Sequence, residues 1–132
     1  MNKMLLVLFA IISLIISCSK GDDSTTNKSV DNQVTATGQI IKLKVNIEEE
    51  KELQQAVDNG HQPWRLEPID VAHVALMEID KNIRYENCTL VSEKDREAVV
   101  NCRGTRTYIV YLKQIVREKN GIWTATQIEI LR

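Results

Sequence analysis

Residues 88–102, Cys88-Thr89-Leu90-Val91-Ser92-Glu93-Lys94-Asp95-Arg96-Glu97-Ala98-Val99-Val100-Asn101-Cys102, decide the fold. Two apolar stretches, each closed by a cysteine at its outer end, flank the charged run Glu93–Glu97, which has turn character. That is the pattern of a β-hairpin. If residues 92 and 98 flank the turn, Leu90 faces Val100, Val91 faces Val99 and Cys88 faces Cys102. Directly opposed residues at a non-hydrogen-bonded pair have Cα atoms about 4.5 Å apart, within reach of a disulfide. Such a bond would stabilise the fold by roughly 3 kcal/mol on the chain-entropy account. The alternatives are a pair of buried thiols or a redox switch, although the Cys-x-x-Cys spacing of catalytic redox pairs is absent.

Outward from this hairpin the period of two continues. Ile83–Ser92, Ala98–Arg103, Thr107–Val116 and Ile122–Leu131 read as four consecutive strands. Arg103-Gly104-Thr105 and Asn120-Gly121 are the expected turns, the second a strong hairpin signal. A tight turn there puts Ile109, Tyr111 and Ile115 on one face with Ile128 and Ile130. Tyr108, Val110, Leu112 and Val116 then share the other with Trp123 and Leu131. With both faces apolar, helices are expected over one and some other partial cover over the other.

Upstream, the segment from Val34 to Ile47 becomes a strand with Ile41, Leu43, Val45 and Ile47 on one face, and Gly38 suggests a bulge or bend. Asn46 is placed to cap a helix to about Asp58, with Glu48, Glu49 and Glu50 at its positive end. Asn59-Gly60 stops it. Pro68 then opens a second helix to about Lys81, in which Ile69, Ala72, Leu76 and Ile79 repeat at helical spacing, widened by Val71 and Ala75. The expected fold class is α+β: two helices packed on a four- to five-stranded antiparallel meander, as a single domain over residues 34–132. The element order resembles cystatin-like and nuclear-transport-factor-2-like small domains, a likeness that carries no function.

The front of the chain reads differently. After Lys3, residues 4–17 form an apolar run broken only by Ser13 and Ser17. It falls short of the roughly 20 residues that a membrane-spanning helix needs, and it has the layout of a secretory signal peptide over residues 1–17. Ile15-Ile16-Ser17-Cys18 resembles the lipobox of bacterial lipoproteins. That resemblance implies cleavage before Cys18, a diacylglycerol on its sulfur and usually a further acyl chain, such as palmitate, on its amine. Two or more chains anchor stably where one is marginal. The implied location is the cell envelope, on the outer side of a bacterial membrane (cell membrane or outer membrane). In that oxidising compartment a Cys88–Cys102 bond is permitted. Residues 18–33 are almost wholly polar, with Val30 the one clearly apolar member after Cys18, so we expect a disordered tether. Lys20 followed by Asp22 and Asp23 is similar to the acidic starts of surface-exported lipoproteins.

Charge and motifs exclude more than they assign. The net charge is −1, and removing residues 1–17 leaves sixteen basic residues against eighteen acidic, or −2. A near-neutral chain argues against a dedicated nucleic-acid binder. Gly60-His61-Gln62-Pro63-Trp64-Arg65-Leu66-Glu67-Pro68 is the most distinctive stretch. It resembles a loop of secreted domains of no known activity. As a candidate binding loop, His61, Trp64 and Arg65 would offer an apolar anchor and a guanidinium for a carboxylate or phosphate. The alternative is structural: Trp64 and Leu66 plug the base of the core while Arg65 pairs with an acid.

Asp70 and His73 lie one helical turn apart and, with Tyr85, could form an acid–base group. Two distant histidines make no zinc site, and there is no phosphate loop or nucleophile elbow. The sequence therefore leads us to expect a non-enzymatic binding module with no catalytic residues, metal or cofactor. Its partners would be the membrane, through the lipid, and an envelope protein or small molecule. The alternative is a small enzyme or ligand carrier with a pocket between helix 68–81 and the sheet.

Overall fold

A computed structural model describes residues 38–132. The expected signal peptide, the lipidation site Cys18, the tether 18–33 and the start of the first strand at 34–37 lie outside them. The described chain runs β1 (Gln39–Lys42), α1 (Ile47–Asp58), a 3₁₀ turn (Pro63–Leu66), α2 (Pro68–Met77), a short 3₁₀ turn (Tyr85–Asn87), β2 (Cys88–Lys94), β3 (Glu97–Arg103), β4 (Thr107–Lys113) and β5 (Thr124–Leu131). The strands form one antiparallel sheet in the order β1-β5-β4-β3-β2, with the two helices packed on it: an α+β fold.

Helix α1 starts where its chemistry dictates. Asn46 Oδ1 accepts the Glu48 N–H at 3.1 Å, and Asn46 Nδ2 donates to Glu49 Oε1 at 2.9 Å. Its end is a Schellman motif: Gly60 N donates to Val57 O and His61 N to Ala56 O, both at 2.9 Å. Gly60 supplies the positive φ, +84°, that this closure needs. Because the cap claims Asn46, β1 stops at Lys42. Of the four residues expected on its inner face only Ile41 and Leu43 join the core, while Ile47 opens the helix and is exposed.

Helix α2 covers the inner face of the sheet. Its Ala72 and Leu76 are wholly buried against Val100, Cys102, Val110 and Ile128, none of which is accessible to solvent. It ends at Met77, short of the expected Lys81, because Asp80 turns inward and Ile79 outward. The hairpin of β2 and β3 carries the Cys88–Cys102 disulfide across a directly opposed pair. Leu90 faces Val100 as expected, but Val91 does not face Val99. A β-bulge at Val91 hands that place to Ser92, and the strands run on to a two-residue turn at Asp95-Arg96.

The larger correction concerns β4 and β5. Tyr108 pairs with Ile130 and Val110 with Ile128, so Ile128 and Ile130 share the inner face with Tyr108, Val110 and Leu112, not with Ile109 and Tyr111. β4 ends at Lys113 and β5 begins at Thr124, so Asn120-Gly121 is not a tight hairpin turn. Tertiary partners hold the connection instead. Gln54, only 4% exposed, accepts the Ile122 N–H at 2.8 Å and donates to Asn120 O at 3.2 Å. Arg117 forks onto Asp58, with one contact at 2.9 Å, and reaches Asn120 O. Arg96, from the β2–β3 turn, donates to Gln114 O.

The opposite face carries Val99, Ile109 and Tyr111, half-buried by their neighbours, and the Tyr111 hydroxyl donates to Glu129 Oε2 at 3.1 Å. Among the described residues no helix packs on it.

Two stability predictions follow from this framework. Replacing Cys88 and Cys102 by Ala should cost about 3 kcal/mol, read as a lower midpoint in urea unfolding. Gln54→Ala strands a buried N–H and should cost about 1–3 kcal/mol, while the exposed Gln55→Ala should cost little.

Candidate functional site

The segment 60–68 folds into a tight unit. Gln62 adopts left-handed backbone (φ 50°), and its Oε1 accepts Arg65 Nε at 2.8 Å across the 3₁₀ turn. The guanidinium carbon lies 4.6 Å from the centroid of the Trp64 ring. That cation–π contact keeps the guanidinium over the indole. Arg65 O also accepts the Trp123 N–H at 2.8 Å, which joins this turn to the lead-in of β5. Trp64 is half-buried and packs against the core, whereas Leu66 is about two-fifths exposed and does not join it, contrary to the expectation that both plug the core. His61 is exposed and does not share the groove described next.

Trp64 and Arg65 form one wall of a surface groove of about 180 Å³. Its floor is Val71, Ala75, Trp123 and Ala125, with Val74 at the mouth and Lys44 and Glu50 on the rim. It opens where the side of α2 meets β5, and both of the chain's tryptophans line it. Glu50 is tied down on one oxygen, Oε2, which accepts the Thr124 hydroxyl at 2.6 Å. Arg65 forms no ion pair within 4.0 Å among the described residues, contrary to the expected acid partner. Burial lowers its pKa, and the negative charge of Glu50 opposes that. The Arg65 terminal nitrogens, which donate to no oxygen among the described residues, therefore form a partly desolvated donor fork at the edge of an apolar floor.

Sequence reasoning missed Lys44, Glu50, Trp123 and Thr124 as part of this site. Each reads locally as something else: a strand residue, a helix-start acid, a strand core residue. Long-range bonds, Trp123 N to Arg65 O and the Thr124 hydroxyl to Glu50, help to bring them together, and no sequence spacing encodes these.

Asp70, His73 and Tyr85 also meet. The rings of His73 and Tyr85 contact edge-to-face with centroids 5.8 Å apart. The Asp70 charge raises the Tyr85 phenol pKa, with smaller contributions from burial and Glu67. The cluster is on the surface, with Tyr85 49% exposed, and the space between α2 and the centre of the sheet is filled by Ala72 and Leu76. Two further depressions, of about 300 Å³ at Glu86, Asn87, Thr89, Asn101 and Arg103 and of about 220 Å³ beside Val99 and Tyr111, involve none of the three. Among the described residues no group of three or more His, Cys, Asp or Glu is placed to hold a metal.

One buried carboxylate is structural. Asp80, 6% exposed, accepts from Thr105 N at 2.6 Å, Thr105 Oγ1 at 3.0 Å, Tyr108 OH at 3.0 Å and Asn82 N at 2.9 Å. A Cβ on Gly104 would stand 2.5 Å from Asp80 Oδ2, so only glycine admits this approach. The Asn82 N–H, then the Thr105 and Tyr108 donors, hold the Asp80 pKa below the usual carboxylate value against the opposing effect of burial.

Compared with known protein families, curated proteins and solved structures, the chain matches none.

A depressed native pKa means that Asp80 stabilises the fold above its unfolded value, about 3.9, and ceases to as pH falls through the lower native value. Asp80→Asn should therefore lower the melting temperature at pH 7 and weaken its dependence on pH below about 4. A variant that keeps the full acid dependence would show that Asp80 is not the group responsible.

Proposed function

We propose that this chain is a lipid-anchored lipoprotein of the bacterial cell envelope whose folded part is a non-enzymatic binding module. The anchor rests on Ile15-Ile16-Ser17-Cys18, which has the order of a lipobox, and on the apolar run before it. The Cys88–Cys102 disulfide is consistent with an oxidising compartment. The observation that carries the binding function is the groove at Trp64 and Arg65: an apolar floor, two indoles and a guanidinium whose terminal nitrogens have no partner among the described residues, on a helix–sheet seam. Its lining mixes apolar surface with Lys44, Glu50, Arg65 and Thr124, and placed polar groups of that kind fix a ligand's orientation in a site.

Two experiments test the two halves separately. Intact-mass spectrometry of protein made with its own signal in a bacterial host should give a chain starting at Cys18 with added lipid mass. It should also give a gain of about two daltons on reduction. An unlipidated chain beginning at Met1 would sink the anchor. A photo-crosslinking residue at Val74, on the groove's mouth, should then give a discrete adduct in cells, and one at the remote Lys94 should not. No adduct at Val74 would remove the groove as the working surface.

The contact between His73 and Tyr85 favours a second reading, a small enzyme or ligand carrier using Asp70, His73 and Tyr85. If that reading held, His73→Ala would abolish the interaction detected by crosslinking. On the first reading it leaves the adduct intact.

A further inference from the structure

The groove's chemistry is specific enough to name a ligand class. We infer that the Trp64–Arg65 groove binds an aliphatic carboxylate about the size of one leucine residue, with the carboxylate on Arg65 and the hydrocarbon over Trp123 and α2. This deepens the proposed binding function and rests on it.

Four observations converge. The first is the donor fork: Arg65 Nε is occupied by Gln62 at 2.8 Å, and among the described residues the two terminal nitrogens have no hydrogen-bond partner. Gln62 and the Trp64 ring hold the guanidinium in place, so its free edge is preorganised for a planar, bidentate acceptor. The second is charge. Lys44 and Arg65 give two positive charges on the rim against one negative on Glu50, which leaves one positive charge in excess. Glu50 is also engaged by the Thr124 hydroxyl at 2.6 Å, so it does not close onto Arg65. Burial already destabilises the charged guanidinium, and an incoming anion reverses that cost.

The third observation is the floor. Val71, Ala75, Trp123 and Ala125 offer no side-chain acceptor or donor except the Trp123 indole N–H, so the part of the ligand that lies on them is hydrocarbon. The fourth is size. About 180 Å³ lies below the roughly 300–1,000 Å³ of ordinary ligand pockets. It accommodates one branched aliphatic group and its carboxylate, and it is too small to enclose a nucleotide or a sugar chain. A dianionic phosphate ester is disfavoured by Glu50.

The chain's only two tryptophans both line the groove, so tryptophan emission, excited selectively over the tyrosines, reports on it. The purified full-length protein in a neutral detergent is titrated with 4-methylpentanoate, with its primary amide, and with a short peptide ending in leucine as the free acid or the amide. The expected result is a saturable emission shift with the acids and binding at least about tenfold weaker with the amides, since hydrogen bonds to a charged partner carry most of the difference. Arg65→Gln should erase the acid-over-amide preference, and Lys44→Gln should weaken acid binding less and reduce its sensitivity to salt. Arg84→Gln, a cation outside the groove, should change neither. Near-UV circular dichroism verifies that each variant is folded.

Binding of both acids, or of the free-acid peptide alone, supports the inference and identifies the source as a small metabolite-like acid or a chain terminus, respectively. Equal binding of acids and amides overturns the carboxylate while leaving a binding groove. No saturable change with any of the four overturns the ligand class, and the Val74 crosslink then decides whether the groove binds anything.

Discussion

The register of β5 against β4 is the constraint on which the rest depends. Because side chains alternate between faces, a shift by an odd number of residues would move the apolar side chains of a whole strand to the other side. Gln54 decides the matter from outside the sheet. By taking Ile122 N and Asn120 O it draws the connection onto α1, and β5 enters with Ile128 and Ile130 facing inward. The same path buries Trp123 and places its N–H on Arg65 O, so the groove is a by-product of the register. A single buried amide thereby couples the core to the surface that we assign to binding.

The charged groups that matter most are those that fasten turns, not those that decorate strands. Asp80 ties the end of α2 to the β3–β4 turn, Arg117 ties the β4–β5 connection to Asp58 at the end of α1, and Arg96 ties the β2–β3 turn to Gln114. Arg117 is the largest influence lowering the Asp58 pKa. Each fastening joins segments distant in sequence. The exposed pair Lys51–Glu48 joins groups one helical turn apart and contributes little by comparison.

Much of this architecture was legible in the sequence where the signal was local. The caps of α1 and the start of α2 at Pro68 depend on residues within a few positions of one another, and the opposed cysteines lie fourteen apart in one hairpin. What was not legible depended on partners far away. Asn120-Gly121 has the composition of a hairpin turn, but Gln54 and Arg117 outcompete that preference, and with it went the assignment of faces in β4 and β5. The end of α2 was overrun because Ile79 fits the helical stripe, while Asp80 responds to Thr105, twenty-five residues on. In the candidate site, Trp64 and Arg65 stood out by their chemistry. Lys44, Glu50 and Trp123 did not, since only the folded chain brings them to the same opening.

The sheet's two outer strands have a further consequence. β1 is four residues long among the described residues, and β2 is interrupted by the bulge at Val91, with charged Glu93 and Lys94 at its far end. Neither offers the long, flat row of free N–H and C=O groups on which a neighbouring molecule could build a continuous ladder. A neighbouring molecule packed against β2 would therefore meet an interrupted ladder at Val91. The irregularity at Val91 is in that sense a safeguard of solubility written into the backbone.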